Sequence, residues 1–251
     1  MRSKALPYNC ERFVRPDGSA IPVLMYHQIS RPPRCGHPYR YLTVSPSNFA
    51  RQMRWLKRLG FRGLSIRDLA PYLSGEKVGK VVGITFDDGY QNNFEYVLPA
   101  LDAVGFTATN YFVSGQIGGY NAWDRNIGIA YSRCMSKAQL REWAALGQEV
   151  GAHTVDHVRL TQVDIRIARQ QIGQSRSHLE DMVGEAVTSF SYPYGDVSGA
   201  VRELVLEAGF STAVTTKRGR IRPSDDRLLL PRRIIRADNR WPGLVRKCVT
   251  G

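Results

Sequence analysis

Stretches with strand periodicity alternate with stretches of helix periodicity along most of this 251-residue chain. That alternation narrows the fold more than any other feature. "IPVLMY" reads as a strand. "SPSNFARQMRWLKRLG" reads as a helix with Phe49, Met53, Leu56 and Leu59 on one face and Gly60 as its stop, and "SIRDLAPYL" as a shorter helix begun by Ser65. The strand "VVGITF", helix "NFEYVLPALDAVG" and strand "TATNYFV" follow. Next come the helix "SKAQLREWAALG", strand "EVGAH", helix "VDIRIARQQIGQSRSHLEDMVG", strand "TSFSY", helix "SGAVRELVLEAG" and strand "STAVTT". Ser136 and Gln139 have capping-box spacing. Pro99 is expected in the first turns of its helix or at a kink. "RLLLPRRII" reads as an edge strand interrupted by Pro231. This βαβα order implies a parallel sheet covered by helices, open or closed into a barrel. With no repeat or low-complexity linker, a single domain over 21–251 preceded by an extension over 1–20 is the simplest division.

Composition excludes several classes. No apolar run approaches the roughly 20 residues a membrane span needs. The first residues are basic but lack the apolar core and cleavage site of a signal peptide, so a cytoplasmic location is expected. Cys10, Cys35, Cys134 and Cys248 are scattered, without a C-x-x-C pair, which argues against a zinc knuckle or a disulfide framework. The net charge of +13 suits nucleic acid, an anionic membrane surface or a polyanionic substrate. Its densest runs, "RQMRWLKRLGFR" and "TKRGRIRPSDDRLLLPRRIIR", carry no nucleic-acid motif and read as solvated surface. No nucleic-acid partner is therefore expected, while peripheral association with an anionic membrane fits the charge. Met25, Tyr26, Trp55, Trp143 and Leu146 have core-like spacing, and "RPPRCGHPYRY" reads as an irregular surface loop.

The chemistry concentrates in three short stretches. "TFDDGY" sets two carboxylates, Asp87 and Asp88, side by side at the end of an apolar strand. Like charges there repel unless a proton or cation sits between them, and Gly89 permits a bend that turns both toward one cleft. "HTVDH" holds two of the five histidines, His153 and His157. On a strand they would stand about 13 Å apart, too far to share an ion at a Zn–N distance of about 2.1 Å. In a turn or the first turn of a helix they become neighbours. "SYPYG" follows a third strand. Strand C-termini of parallel α/β folds gather at one face, where a carboxylate and two imidazoles form a facial metal site with open positions.

"TFDDG", "HTVDH" and "YPYG", in that order, resemble the motifs of the NodB-homology polysaccharide deacetylases, carbohydrate esterase family 4, over roughly Ile21 to Ile235. The resemblance implies a distorted (β/α)7-type barrel and hydrolysis of N-acetyl groups on amino sugars of a glycan or glycoside. It implies Asp88, His153 and His157 as ligands of a divalent metal, zinc by default with cobalt or nickel as alternatives, and Asp87 as general base. It places an oxyanion-stabilising backbone N–H at Tyr194, with Tyr90, Pro193 and Tyr194 toward the substrate. Two departures stand out. Ser191 occupies a position where many members have an arginine that steadies the catalytic aspartate, and Arg232 of "LPRR" is the substitute the sequence offers. No histidine follows His178 to serve as the C-terminal acid. However, "VLMYHQI" resembles the N-terminal motif of the circularly permuted branch that includes poly-N-acetylglucosamine deacetylases, which makes His27 the acid; histidine is the side chain suited to proton transfer near neutrality. His37 and His178 receive no role. Two other readings are a catalytically silent carbohydrate-binding relative, and a basic membrane-surface or nucleic-acid-binding protein with an incidental metal site.

Overall fold

The computed structural model describes residues 20–249, so nearly all of the expected N-terminal extension, with Cys10, lies outside the described residues. In chain order the strands are β1 (Val23–Tyr26), β2 (Gln28–Ile29), β3 (Thr43–Val44), β4 (Arg62–Leu64), β5 (Val81–Phe86), β6 (Thr109–Phe112), β7 (Glu149–Ala152), β8 (Ser189–Ser191), β9 (Thr212–Arg218) and β10 (Leu230–Ile234). The α-helices are α1 (Pro46–Arg58), α2 (Ile66–Leu73), α3 (Gln91–Asp102), α4 (Lys137–Ala145), α5 (Ile165–Val183), α6 (Gly199–Glu207) and α7 (Trp241–Val249).

Seven parallel strands close into a barrel in the order β1, β10, β9, β8, β7, β6, β5 and back to β1. The ring is distorted at β5. Its first half pairs with β4, Arg62 opposite Val81, and its second half with β6, Thr85 opposite Thr109, on the side away from β1. The helices start where the sequence signals them. Ser45, Ser65, Ser136 and Asp164 each cap a helix through the side chain, and Ser136 with Gln139 completes the capping box.

Strand alternation divides the apolar residues into two cores. Outward-facing Tyr26, Phe86, Phe112 and Phe190 pack under the helices with Phe49 and Trp143. A smaller core of Val23, Leu64, Ile66, Leu69, Tyr111, Val214 and Leu230 fills the end opposite the motifs, where α2 acts as a plug. Side chains dock the start of that helix: Thr107 Oγ1, Thr109 Oγ1 and Glu149 Oε2 accept from the amides of Ser65, Ile66 and Arg67 at 3.0, 2.8 and 2.7 Å. A carboxylate here satisfies an otherwise orphaned helix-terminal donor.

Several expectations need correction. The segment containing Pro231 is an interior barrel strand, hydrogen-bonded to both β1 and β9, and the register against β9 shifts between Leu230 and Arg232. That irregularity falls where proline offers no N–H to the ladder. Pro99 lies near the C-terminal end of α3 rather than in its first turns. Leu146 is 57% exposed at the end of α4, whereas Met25, Tyr26 and Trp143 are buried. Arg232 and Arg233, in a run read as solvated surface, are 1% and 3% exposed. Among the described residues, no helix is long and apolar enough to cross a membrane.

Candidate active site

β5, β7 and β8 deliver the three motifs to one end of the barrel, around a cavity of about 580 Å³. Asp87 follows β5 in phase with inward-facing Thr85. Asp88 should by alternation point the other way. Its backbone has φ 78°, however, in the left-handed region, and Gly89 follows at φ 68°, so the chain turns and both carboxylates line the cavity. A Cβ on Gly89 would come within 2.6 Å of the Phe112 ring, so glycine serves both the bend and the packing there. His153 and His157 lie in a turn after β7 in which Thr154 and His157 have positive φ, 65° and 58°. The turn, not a helix, makes the histidines neighbours, with ring centroids 4.8 Å apart.

One Asp88 oxygen stands 3.5 Å from His153 Nε2 and 3.3 Å from His157 Nε2, and one ligand atom from each of the three residues lies within 4.8 Å of the others. His153 Nδ1 is 2.7 Å from the Ser191 carbonyl oxygen. A carbonyl only accepts, so Nδ1 carries the proton and the Nε2 lone pair of the neutral ring faces the carboxylate. Two acceptors facing each other in a buried site suit a shared cation, and two imidazoles with a carboxylate are a donor set for zinc and its first-row neighbours. Burial would raise the Asp88 carboxyl, but the His153 and His157 rings against it outweigh that and hold the group well below the usual carboxylate range. Burial lowers His157, against the pull of Asp88, which favours the neutral ring a metal requires.

Asp87 has a different partner. Arg232 reaches across the barrel from β10 and donates to both its oxygens, each at 2.7 Å. The same guanidinium donates to Thr85 Oγ1 and Ser191 Oγ, each at 3.1 Å, and to the Thr215 carbonyl at 3.0 Å. Ser191 is small enough to leave this space to an arginine from another strand. Burial pushes the Asp87 carboxyl up, but the charge and hydrogen bonds of Arg232 more than offset it, leaving the group below its ordinary value.

The remaining expected residues are distributed as follows. His27 follows β1 and lines the cavity, its Nδ1 buried and without a hydrogen-bond partner among the described residues. Tyr194 lines the cavity in a left-handed conformation, φ 60°, 36% exposed. Tyr90 is buried in the wall, and Pro193 is buried in the turn that presents Tyr194. His37, given no role from sequence, lines the cavity with Tyr39 and Tyr41, so the proline-rich loop forms one wall. His178 sits 3.3 Å from Ser114 Oγ and does not line the cavity.

Beyond Trp123, a loop aromatic suited to stacking on a sugar, the sequence did not reveal a second layer. Trp123 stacks on His157 at 4.8 Å, and the Arg159 guanidinium lies 3.9 Å over the Tyr194 ring. Asp124, also in the wall, is pushed up to about 6 by burial, with Asn121 opposing and the Asp88 charge adding to the rise. Asn92 and Asn93, at the start of α3, bond to the segment around His27. Trp123 and Asp124 sit on a long irregular loop, where residue type alone gives no direction.

The profile of the family described as polysaccharide deacetylase matches residues 74–213, more than half of the chain, and both Asp87 and the metal-type triad lie within it. The chain belongs to the polysaccharide deacetylases. Within this NodB-homology group it is 28% identical to YxkH of Bacillus subtilis (strain 168) over 201 residues, covering 79% of this chain and 65% of that protein. It is 24% identical to a poly-β-1,6-N-acetyl-D-glucosamine N-deacetylase of Staphylococcus aureus (strain MSSA476), covering 82% and 74% of the two chains. IcaB from Ammonifex degensii superposes with a TM-score of 0.79 at 26% identity, over 92% of this chain and 97% of that one. The Streptococcus pyogenes deacetylase PplD, solved with acetate, gives 0.78 at 24% identity over 92% and 99%, a likeness of fold. The chain thus spans slightly less than two thirds of the length of YxkH.

Proposed function

We propose that this deacetylase-family chain hydrolyses the N-acetyl group of amino sugars in a glycan or glycoconjugate, releasing acetate and a free amine. The observation that carries this reading is the pairing of two differently supported carboxylates in one cavity: Asp88 faces two imidazoles, while Asp87 is gripped by Arg232. A binding module would need no buried ionised base, which weighs against a silent relative. Asp88, His153 and His157 would hold a divalent cation, zinc first and cobalt or nickel as alternatives. When bound, the cation supplies Lewis acidity to the acetamide carbonyl and the attacking water.

Asp87, kept ionised by Arg232, accepts the proton of that water as its oxygen adds to the carbonyl carbon. The Tyr194 backbone N–H serves the carbonyl oxygen as charge develops on it. His27 gives a proton to the sugar nitrogen as the C–N bond breaks, so the amine leaves neutral. Tyr90 and Tyr194 shape the wall against the sugar, and Pro193 sets the turn that presents Tyr194. The chain's positive charge suits peripheral contact with an anionic membrane or an acidic glycan.

The test is acetate released from a panel of N-acetylhexosamine oligomers, with and without a chelator. Activity on at least one oligomer, lost with chelator and restored by zinc, is expected. No release from any member by zinc-loaded protein would overturn the reading. His153→Ala should lose stoichiometric zinc binding, checked by metal analysis after dialysis, because only two of three protein ligands remain.

A further inference from the structure

His27 lacks the support that usually orients a catalytic imidazole. Its Nδ1 is buried without a hydrogen-bond partner among the described residues, unlike His153, whose Nδ1 bonds to the Ser191 carbonyl. No carboxylate or carbonyl therefore fixes the ring through its second nitrogen, and Nε2 remains as the atom available to the cavity. The ring's position must instead come from the backbone that carries it. That backbone is held on three sides. Before it, the Tyr26 carbonyl accepts from the Asp87 amide at 3.1 Å. At His27 itself, the fully buried Asn93 side chain donates Nδ2 to the carbonyl at 2.9 Å. Two residues on, Asn92 Oδ1 accepts from the Ile29 amide at 3.1 Å, while Asn92 Nδ2 donates to Gln28 Oε1 at 3.1 Å.

We infer that Asn93 and Asn92 are positioning residues that clamp the His27 backbone and so aim its imidazole at the leaving nitrogen. The inference rests on the reading of His27 as the acid. Both asparagines follow the Asp87–Asp88 pair within one short stretch, so a single segment carries the base, a metal-type ligand and the holder of the acid. The acid itself arrives from β1, more than 60 residues earlier. A buried asparagine is costly unless its polar atoms are used; Asn93 uses its Nδ2 on the His27 carbonyl, while its buried Oδ1 has no partner among the described residues.

The leaving group separates aim from general integrity. Amide hydrolysis needs a proton on the departing nitrogen, whereas 4-nitrophenyl acetate releases a stabilised phenolate that needs none. Both reactions use the same base and metal. The measurement is therefore the ratio of chelator-sensitive amide to ester hydrolysis by zinc-loaded full chain, with 4-nitrophenyl acetate and the best oligomer as probes. His27→Ala should lower that ratio by about a hundredfold, the lower range for general-acid catalysis. Asn93→Leu and Asn92→Leu should lower it by roughly ten- to a hundredfold, since a misplacement of about 1 Å can cost that much. Asn92→Asp, which keeps the acceptor for the Ile29 amide, should retain most of it.

Equal losses on amide and ester in the two leucine variants, or no loss in either, would overturn the clamp. If Asn93→Leu does not fold, the half-buried Asn92 pair decides alone. If His27→Ala itself lowers both rates alike, the acid assignment fails and takes the clamp with it. A selective His27→Ala with unselective asparagine variants sinks only the clamp.

Discussion

Asp87→Asn is expected to cut acetate release by at least about a hundredfold while zinc content stays at one equivalent. General-base catalysis contributes on the order of 10²–10⁴, and an amide at this position keeps the shape but cannot take a proton. The metal-type triad uses Asp88, not Asp87, so its three donors survive the change. Asparagine also fits the grip of Arg232, since its carbonyl oxygen can still accept one of the two 2.7 Å bonds. Metal analysis beside turnover checks both halves. Near-normal turnover would remove Asp87 from the mechanism, and lost zinc would show that it helps to hold the ion.

Arg232→Met is expected to damage both turnover and stability. The guanidinium is fully buried and pairs with both oxygens of Asp87, so its removal leaves a buried carboxylate without that counter-charge. Breaking one side of a buried pair costs about 3–5 kcal/mol. The pH dependence should change sign. In the native protein Asp87 lies below its ordinary value, so its contribution to stability is complete above about pH 4, the unfolded carboxylate range, and is lost as pH falls through the folded value. Without Arg232, burial dominates and raises the carboxyl, so acidification from neutrality should relieve the destabilisation. Denaturant unfolding of the native and variant chains at several pH values tests this. The double change with Asp87→Asn should be less destabilised than the two single effects added together.

Most elements were legible because each carried its own period and stop signals. The capping box at Ser136, the glycine after α1 and the buried run of β5 are local properties, and they appear where the sequence puts them. The metal-type triad was legible for the same reason: Asp88, His153 and His157 sit in short motifs at strand ends. The errors arose where a local rule met a global constraint. Pro231 argued for an edge, but closure of the barrel gives β10 neighbours on both sides, and a register shift absorbs the proline. Leu146 had core spacing, yet it falls at the turn that ends α4. Arg232 could be nominated from an absence at Ser191, but its bonds to Thr85, Asp87, Ser191 and Thr215 involve three other strands, β5, β8 and β9, and needed the fold. The contacts of Asn92 and Asn93 with the His27 segment span more than 60 residues, and no spacing rule reaches that far.

β10 lies beside β1 through only two register pairs, Leu24 with Arg233 and Met25 with Ile234. His27 stands just beyond one side of that seam and Arg232 on the other, 145 positions from the carboxylate it grips. With β10 undocked, the three motifs would stand without the arginine that grips Asp87, so a local opening of this seam is expected to remove that support while the helical layer remains intact.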